Sequence, residues 1–253
     1  MKVFVMLIVL ILLECLHLFG QNLVQNGDFE TYEVCPITYC SKKYFLPNWY
    51  SPTMGTPDYF NECSNGLAGI PNNFAGKLHS ENGRGYIGFI VVGLSHMVGL
   101  TSNYSREYVS SKLTKPLVKD TLYCISFLIS HSTYSKITVN RISVYFSKHK
   151  VNKPVKKNEL GFNPQINFEL SVVPKDDWVL LSTIYRATGN EEFLTIGNFQ
   201  KDTELVWARD KSQAKEKSPY SIGAYYYVDN VEIRPVSDKL SKCNVFIESE
   251  FTY

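Results

Sequence analysis

The sequence carries almost no net charge: 26 Lys and Arg against 24 Asp and Glu leave a formal +2 at pH 7. A balance that close to zero argues against nucleic acid as a partner, which needs a basic face. No long apolar run follows the first residues, so no transmembrane segment is expected once that start is removed. No CxxC or Cys/His spacing suggests zinc. No stretch of useful length has a 3.6-residue apolar period, so helices are not expected. Internal repeats and low-complexity tracts are absent. The histidines His17, His79, His96, His131 and His149 sit in no catalytic motif. "GLSHMVG", Gly93 to Gly99, lacks the spacing and the strand–turn–helix setting of a nucleophile elbow. A secreted hydrolase is therefore the last-ranked reading, and the chain is read as a non-enzyme.

What the sequence does have is aromatics, with 17 Tyr and 15 Phe in 253 residues. Hydrophobic residues at 44% and charged residues at 20% describe a globular chain. The length fits one large all-β domain. "MKVFVMLIVLILLECLHLFGQ" has Lys2, an apolar run from Val3 to Leu13 and a weakly polar end at Gly20. That is a signal-peptide pattern over residues 1–20, with Gln21 as the new N-terminus and a secreted or outer-surface location. Lipidation at Cys15 and a retained anchor are the alternatives. Removing Cys15 from the six cysteines leaves five: Cys35, Cys40, Cys63, Cys124 and Cys243. An exported chain oxidises its thiols, and an odd number leaves one free. Cys124, in the apolar "TLYCISFLIS", is expected to be that buried thiol. Cys35 with Cys63 is the favoured disulfide, and Cys40 with Cys243 the second choice.

Short extended runs recur between Gly, Pro, Asn and Asp. They include "NLVQ", "RGYIGFIVV", "REYVSSKL", "TLYCISFLIS", "ITVNRISVYFS", "WVLLSTIYRA", "EEFLTIGNFQ" and "YYYVDNVEI". About nine or ten strands with turn signals between them predict a two-sheet sandwich. In "ITVNRISVYF", Ile142, Val144 and Phe146 share a face. "TLYCISFLIS" is apolar on both faces and is expected to be central and covered on both sides. "YYYVDNVEI" alternates too. Tyr225, Tyr227, Asp229, Val231 and Ile233 make the better core face, with Asp229 oddly in its middle. Glu33 to Ser80 is rich in Pro, Gly, Asn and Cys and has little period, which marks a functional or disulfide-tied loop. "KDTELVWARDKSQAKEKSPYS" reads as loop. The domain is placed at 21–236, with 237–253 as a tail or linker.

"NLVQNGDFE" and "YYYVDNVEI" together resemble the two ends of galactose-binding-like jelly-roll domains, including carbohydrate-binding modules of the cellulose- and xylan-binding type. "NWYSPTMGTPDYFNECS", "GIPNNFAG", "REYVSSKLTKPLVKDTLYCISFLIS" and "FLTIGNF" resemble a subgroup on Gram-negative cell surfaces. There the jelly roll often precedes a domain of the outer-membrane-protein-A type. The resemblance runs from about Asn22 to Arg234 and implies a two-sheet jelly-roll β-sandwich. This sequence ends at Tyr253 without the second domain, as a stand-alone or a truncated form. The resemblance also implies a structural calcium between Glu30 of the first motif and Asp229 of the last. Two carboxylates suit a hard cation that takes six to eight oxygens. The other reading has Asp229 accept hydrogen bonds from a turn, or pair with Arg or Lys.

Sugar rings stack on flat aromatic faces, and their hydroxyls need amide and charged partners. The candidate ligand residues are Trp49, Tyr50, Tyr59, Phe60, Asn61, Asn73, Tyr86, Arg106 and Tyr108, with Asn72, Tyr104 and Glu107 beside them. Each ring is equally readable as core, and Arg106 as the partner of an acidic loop residue. "KHKVNKPVKK", Lys148 to Lys157, suits anionic glycans, lipid headgroups or plain solvent. The expected function is a secreted or surface binding module for a glycan or glycoconjugate. The alternative is a structural or adhesive protein with a surface protein partner.

Overall fold

The computed structural model describes residues 21–39, 46–94, 104–153, 159–170, 173–209, 223–237 and 243. Residues 1–20, where the signal peptide is expected, Cys40, His96 and most of 237–253 lie outside the described residues, as does the side chain of Tyr104. All regular structure among the described residues is strand. The strands are β1 (Trp49–Tyr50), β2 (Asp58–Asn61), β3 (Asn72–Asn73), β4 (Gly76–Lys77), β5 (Gly85–Leu94), β6 (Tyr104–Ser105), β7 (Val109–Lys112), β8 (Leu122–His131), β9 (Ile137–Val139), β10 (Arg141–Ser147), β11 (Ile166–Glu169), β12 (Val179–Arg186), β13 (Phe193–Gly197), β14 (Trp207–Arg209) and β15 (Gly223–Val236).

Two antiparallel sheets face each other. One has the order β1-β7-β13-β10-β11 and the other β12-β8-β15-β5-β2, with β6 paired to β5. The longer strands alternate between sheets along the chain: β5, β7, β8, β10, β12, β13, β15. This is the expected jelly-roll sandwich. β-Branched and aromatic residues at every second position explain it, because each strand can bury only one face in the core. Val144 sits opposite Ile196 and Phe146 opposite Leu194 across β10 and β13. Ile125, Phe127 and Ile129 of β8 meet them from the other sheet. Each such side chain contributes about 1.5–3 kcal/mol by leaving water. β8 lies between β12 and β15 as expected, but its outward residues Leu122, Cys124 and Leu128 are only half-buried.

β15 corrects the expected alternation. The inter-sheet core takes Tyr226, Val228, Val231 and Ile233, while Tyr225 and Tyr227 enter a separate cluster on the outer face. The register against β8 slips between Asp229 and Glu232, and Asn230 adopts φ 47°. An extra residue at a bulge switches the inward face. Asn tolerates that left-handed backbone better than most residues. Asp229 therefore belongs with the outward tyrosines, not in the middle of the core face.

Beyond the bulge, the N-terminal segment takes over the edge of β15. Val231 N donates to Gly27 O at 2.8 Å, and Leu23 N donates to Ile233 O at 2.9 Å. Asn22 accepts from Ile233 N at 2.9 Å and donates to Val231 O at 2.9 Å. A Cβ on Gly27 would lie 2.1 Å from Val231 O, so only glycine permits this approach.

Cys35 and Cys63 form the favoured disulfide. Cys124 is not a free thiol: it is bonded to Cys243, 119 residues later. This also removes the pairing of Cys243 with Cys40. Arg234 is the register partner of Cys124, so a chain leaving β15 at Val236 starts beside β8. The Cys243 Cα lies 5.3 Å from the Cys124 Cα, within disulfide range.

Candidate functional site

Most of the residues expected to hold a ligand are interior. Trp49 is 5% exposed, packs on Phe29 at 5.0 Å and donates from Nε1 to Asn26 O at 2.9 Å. Tyr59 is buried, its hydroxyl donating to Phe29 O at 3.0 Å and accepting from Asn61 Nδ2 at 2.7 Å. Asn61 Oδ1 in turn accepts from Cys63 N at 2.9 Å, which sets the turn carrying the disulfide. Phe60 and Tyr86 are fully buried and pack on Tyr227 at 5.5 and 5.1 Å. Asn73 Oδ1 accepts from Tyr227 OH at 2.9 Å, and Asn73 Nδ2 donates to Tyr86 OH at 3.2 Å. These residues pin the loop of β2, β3 and β4 onto β15. None of them turns a ring face or a spare amide toward a ligand.

The same cluster contains Tyr225, whose hydroxyl donates to Asp58 Oδ2 at 2.7 Å. Burial first, then the Asp58 charge, hold the Tyr225 phenol well above its ordinary value. Tyr225→Phe is expected to cost about 1–3 kcal/mol by taking a donor from a buried carboxylate. A thermal melt checks this; an unchanged midpoint would mean the bond contributes nothing.

Arg106 and Tyr108 lie on the outer side of the five-stranded sheet. Arg106 is 1% exposed and pairs through Nη1 with Asp202 at 2.8 Å and with Glu159 at 3.8 Å. The acidic-partner reading of Arg106 therefore holds. Glu107 points the other way, accepting from Thr56 N at 2.8 Å and Ile90 N at 2.9 Å. Tyr108 donates to Asn198 O at 2.9 Å and accepts from Leu160 N at 3.2 Å. Burial pushes its phenol up to about 12.

Tyr50 differs, being half-buried with Lys150 Nζ 4.3 Å from its ring centre. That lysine also lines a groove of about 560 Å³, of which Tyr50 itself is not a lining residue. Tyr145 and Ser147 of β10, the Lys148–Lys153 stretch and Phe162 form one wall. The Thr188–Glu191 turn forms the other. The alternation of β10 places Tyr145 outward, opposite to Val144 and Phe146. Its ring stacks on Phe162 at 4.6 Å with 4° between planes, and Lys153 Nζ sits 4.2 Å from the Phe162 centre.

The turn at the groove is built around Glu191. Oε1 accepts from Tyr185 OH at 2.8 Å and from Thr188 N and Oγ1 at 2.7 and 2.8 Å. Oε2 accepts from Gly189 N at 2.8 Å. Burial works to raise this carboxyl, but the donors, Thr188 foremost, hold it below its ordinary value. Tyr185 is pushed up to about 12 by burial and by the bond to Glu191.

At the other sheet, Asp229 is fully buried. Its Oδ1 accepts from Asn230 N at 2.7 Å, and its Oδ2 is buried with no hydrogen-bond partner. Burial raises its carboxyl well above the ordinary value. The Asn230 amide opposes that, while Glu30, Asp28 and Glu81 add to it. Glu30 Oε1 accepts from Arg84 N at 2.7 Å and Gly85 N at 2.9 Å. Gly83 adopts φ +77°, and a Cβ there would lie 2.4 Å from Glu30 Oε1. The turn thus wraps the Glu30 carboxylate as only glycine allows.

Sequence reasoning missed Phe162 and the Thr188–Glu191 turn. Tyr145 was legible as outward, and the basic run was legible as a surface element.

Comparison with protein-family models and with curated proteins finds no match. Among solved structures, the enzymatically active domain of bacteriophage CBA120 tailspike protein 4 aligns at TM-score 0.39 and 11% identity. That alignment covers 85% of this chain but only 21% of the tailspike chain. The K1 cleaved adhesin domain of Lys-gingipain from Porphyromonas gingivalis W83 aligns at TM-score 0.41 and 14% identity, over 82% of this chain and 95% of that one. The CBM22-1 xylan-binding domain of Xyn10C from Paenibacillus barcinonensis aligns at 0.38 and 14%, over 87% and 97%. At such low identity and TM-score, the fold rests on its own strand order and the function on the site.

Proposed function

We propose that this chain is an exported, non-catalytic binding module for a carbohydrate or glycoconjugate, with a structural calcium clasping its first and last β segments. The observation that carries the binding reading is the groove beside Tyr145 and Phe162. Its volume of about 560 Å³ suits a short saccharide. It lies on an open sheet face, flanked by half-buried rings and long polar side chains. Residues 1–20 supply the export signal, and the two disulfides suit an oxidising compartment. A glycan array probed with the purified protein is expected to give a specific hit. A blank across plant, host and bacterial glycans would remove this reading.

The calcium would be held by Glu30 and Asp229. The Asp229 oxygen with no hydrogen-bond partner among the described residues, and the acidic surroundings that oppose its ionisation, support a cation site here. Among the described residues no cluster of three His, Cys, Asp or Glu side chains is found, so backbone carbonyls and water would complete the shell. The ion supplies charge neutralisation where the N-terminal segment joins β15.

One observation favours the adhesive alternative. Val34, Ile37 and Leu67 are 46%, 62% and 47% exposed, on the segments that Cys35–Cys63 ties together. Whole-cell cross-linking separates the two readings. A stoichiometric protein neighbour that survives sugar competition would favour adhesion.

A further inference from the structure

We infer that the ligand of the groove is a polyanionic saccharide, carrying carboxylates or sulfates, held chiefly by Lys148 and Lys150. This rests on the reading of the groove as a saccharide site and narrows it to one class.

The walls of the groove leave few groups free. A neutral sugar needs an open ring face for its C–H groups and amides for its hydroxyls. The rings here are already engaged. Phe162 has Tyr145 stacked on it at 4.6 Å and Lys153 Nζ at 4.2 Å, while Tyr50 carries Lys150 Nζ at 4.3 Å. The amide of Gln165 is used twice by one backbone position. Its Oε1 accepts from Phe146 N at 2.8 Å, and its Nε2 donates to Phe146 O at 3.0 Å. Stacking is largely closed, and of the lining amides Gln165 is spent while Asn152 and Asn190 stay exposed.

Beside those two amides, the charge the groove presents is positive. Lys148, Lys150 and Lys153 line the groove and are exposed. The one acidic residue in the lining is Glu191, 4% exposed, with both oxygens already accepting from Tyr185, Thr188 or Gly189. It is nearly buried, and among the described residues it forms no ion pair with any of the three lysines. Lys153 is partly committed, since its Nζ also donates to Leu160 O at 3.2 Å. Among the described residues Lys150 is held by a ring face, a weak contact at an exposed site. An anionic sugar can draw that ammonium away, and doing so uncovers the Tyr50 face for the sugar ring. Charge attraction and stacking would then arise in one movement, which a neutral sugar has no means to start.

The test is affinity electrophoresis and calorimetry on the full-length protein with four probes: polygalacturonate, dextran sulfate, neutral β-galactan, and phosphatidylglycerol vesicles. At least one of the two polyanions is expected to bind, and to weaken tenfold or more as NaCl rises from about 50 to about 500 mM. Lys148→Gln/Lys150→Gln is expected to lose at least tenfold in affinity with an unchanged melting temperature. Lys77→Gln, on β4 outside the groove, is expected to bind like the parent. Three results would overturn the inference. One is polyanion binding that survives the double substitution. Another is equal loss in Lys77→Gln, which marks unspecific charge attraction. The third is vesicle binding with both polyanions ignored. Galactan binding without polyanion binding overturns the anionic class and leaves the saccharide module standing. No binding to any of the three saccharides, together with a blank array, removes both.

Discussion

Calcium added to the chelated protein at pH 8 is expected to raise its melting temperature by roughly 5–10 °C. An ion at a hundred times its dissociation constant stabilises by about 2.7 kcal/mol. In a domain of this size each kcal/mol moves the midpoint by about 2–4 °C. The pH dependence carries the sharper signature. Asp229 has a raised carboxyl in the fold, from burial first and from Glu30, Asp28 and Glu81 as well, against the pull of the Asn230 amide. A raised carboxyl favours the folded state while protonated. That contribution is full below the unfolded value of about 3.9 and is lost as pH climbs through the folded value. Chelated protein should therefore weaken from about pH 4 upward. Calcium binds the ionised form, so its stabilising increment should grow over the same window.

Asp229→Asn separates this from a carboxylic acid kept neutral by its surroundings. The amide has no proton to lose and no charge for the ion. In chelator at pH 8 the variant is expected to melt at least as high as the parent, with no pH slope from this position and no calcium response. Melts at pH 5 and pH 8, with and without chelator, supply all four comparisons. Equal midpoints for the parent with and without calcium at pH 8 would dispose of the ion. So would a full calcium shift in the variant.

How legible these features are in the sequence differs from element to element. The alternation of Ile142, Val144 and Phe146 fixes the inner face of β10, and by the same rule sends Tyr145 outward into the groove. The meeting of the chain ends follows from "NLVQNGDFE" and "YYYVDNVEI", and Asn22 and Gly27 do bond to Val231 and Ile233. The bulge at Asn230 is not legible. An inserted residue leaves no mark in a run where both faces are apolar or aromatic, so strict alternation assigns Tyr225 and Tyr227 to the wrong side. The loop from Glu33 to Ser80 misleads for another reason. Its strands are two to four residues long, too short to express a period of two. Its rings look like a binding surface because nothing local says that Asn61, Asn73 and backbone carbonyls will accept or supply their hydrogen bonds. Phe162 reaches Tyr145 only through the fold of the loop between β10 and β11, a tertiary contact with no sequence signature. Cys124 looks like a buried thiol because its own strand is apolar. Its partner lies 119 residues later, and nothing local to either cysteine marks the pairing.

The buried guanidinium of Arg106 yields the other large expected effect, and with it an inverted ranking. Asp202 and Glu159 are each about a third exposed, at 32% and 33%, while the Arg106 side chain is fully enclosed. Intuition would rank the enclosed residue as the costlier one to change. The desolvation argument ranks them the other way. Replacing Arg106 by Met keeps most of the volume and leaves two carboxylates that water can reach. Replacing both Asp202 by Asn and Glu159 by Gln leaves a full positive charge with no counter-ion in the interior. Breaking a buried pair on the side that strands the charge costs about 3–5 kcal/mol. The Asp202→Asn/Glu159→Gln variant is thus expected to melt about 6–20 °C below the parent. Arg106→Met should lose less than half as much. Glu159 also accepts from Asp202 N at 2.9 Å, so the pair ties two loops together next to Tyr108, Leu160 and Phe199. Tyr145 and Phe162 pack on that cluster. The same loss should therefore loosen the groove, read as weaker saccharide binding in the double variant than in Arg106→Met at a temperature where both are folded. If Arg106→Met proves the more damaging change, packing rather than the stranded charge governs this site.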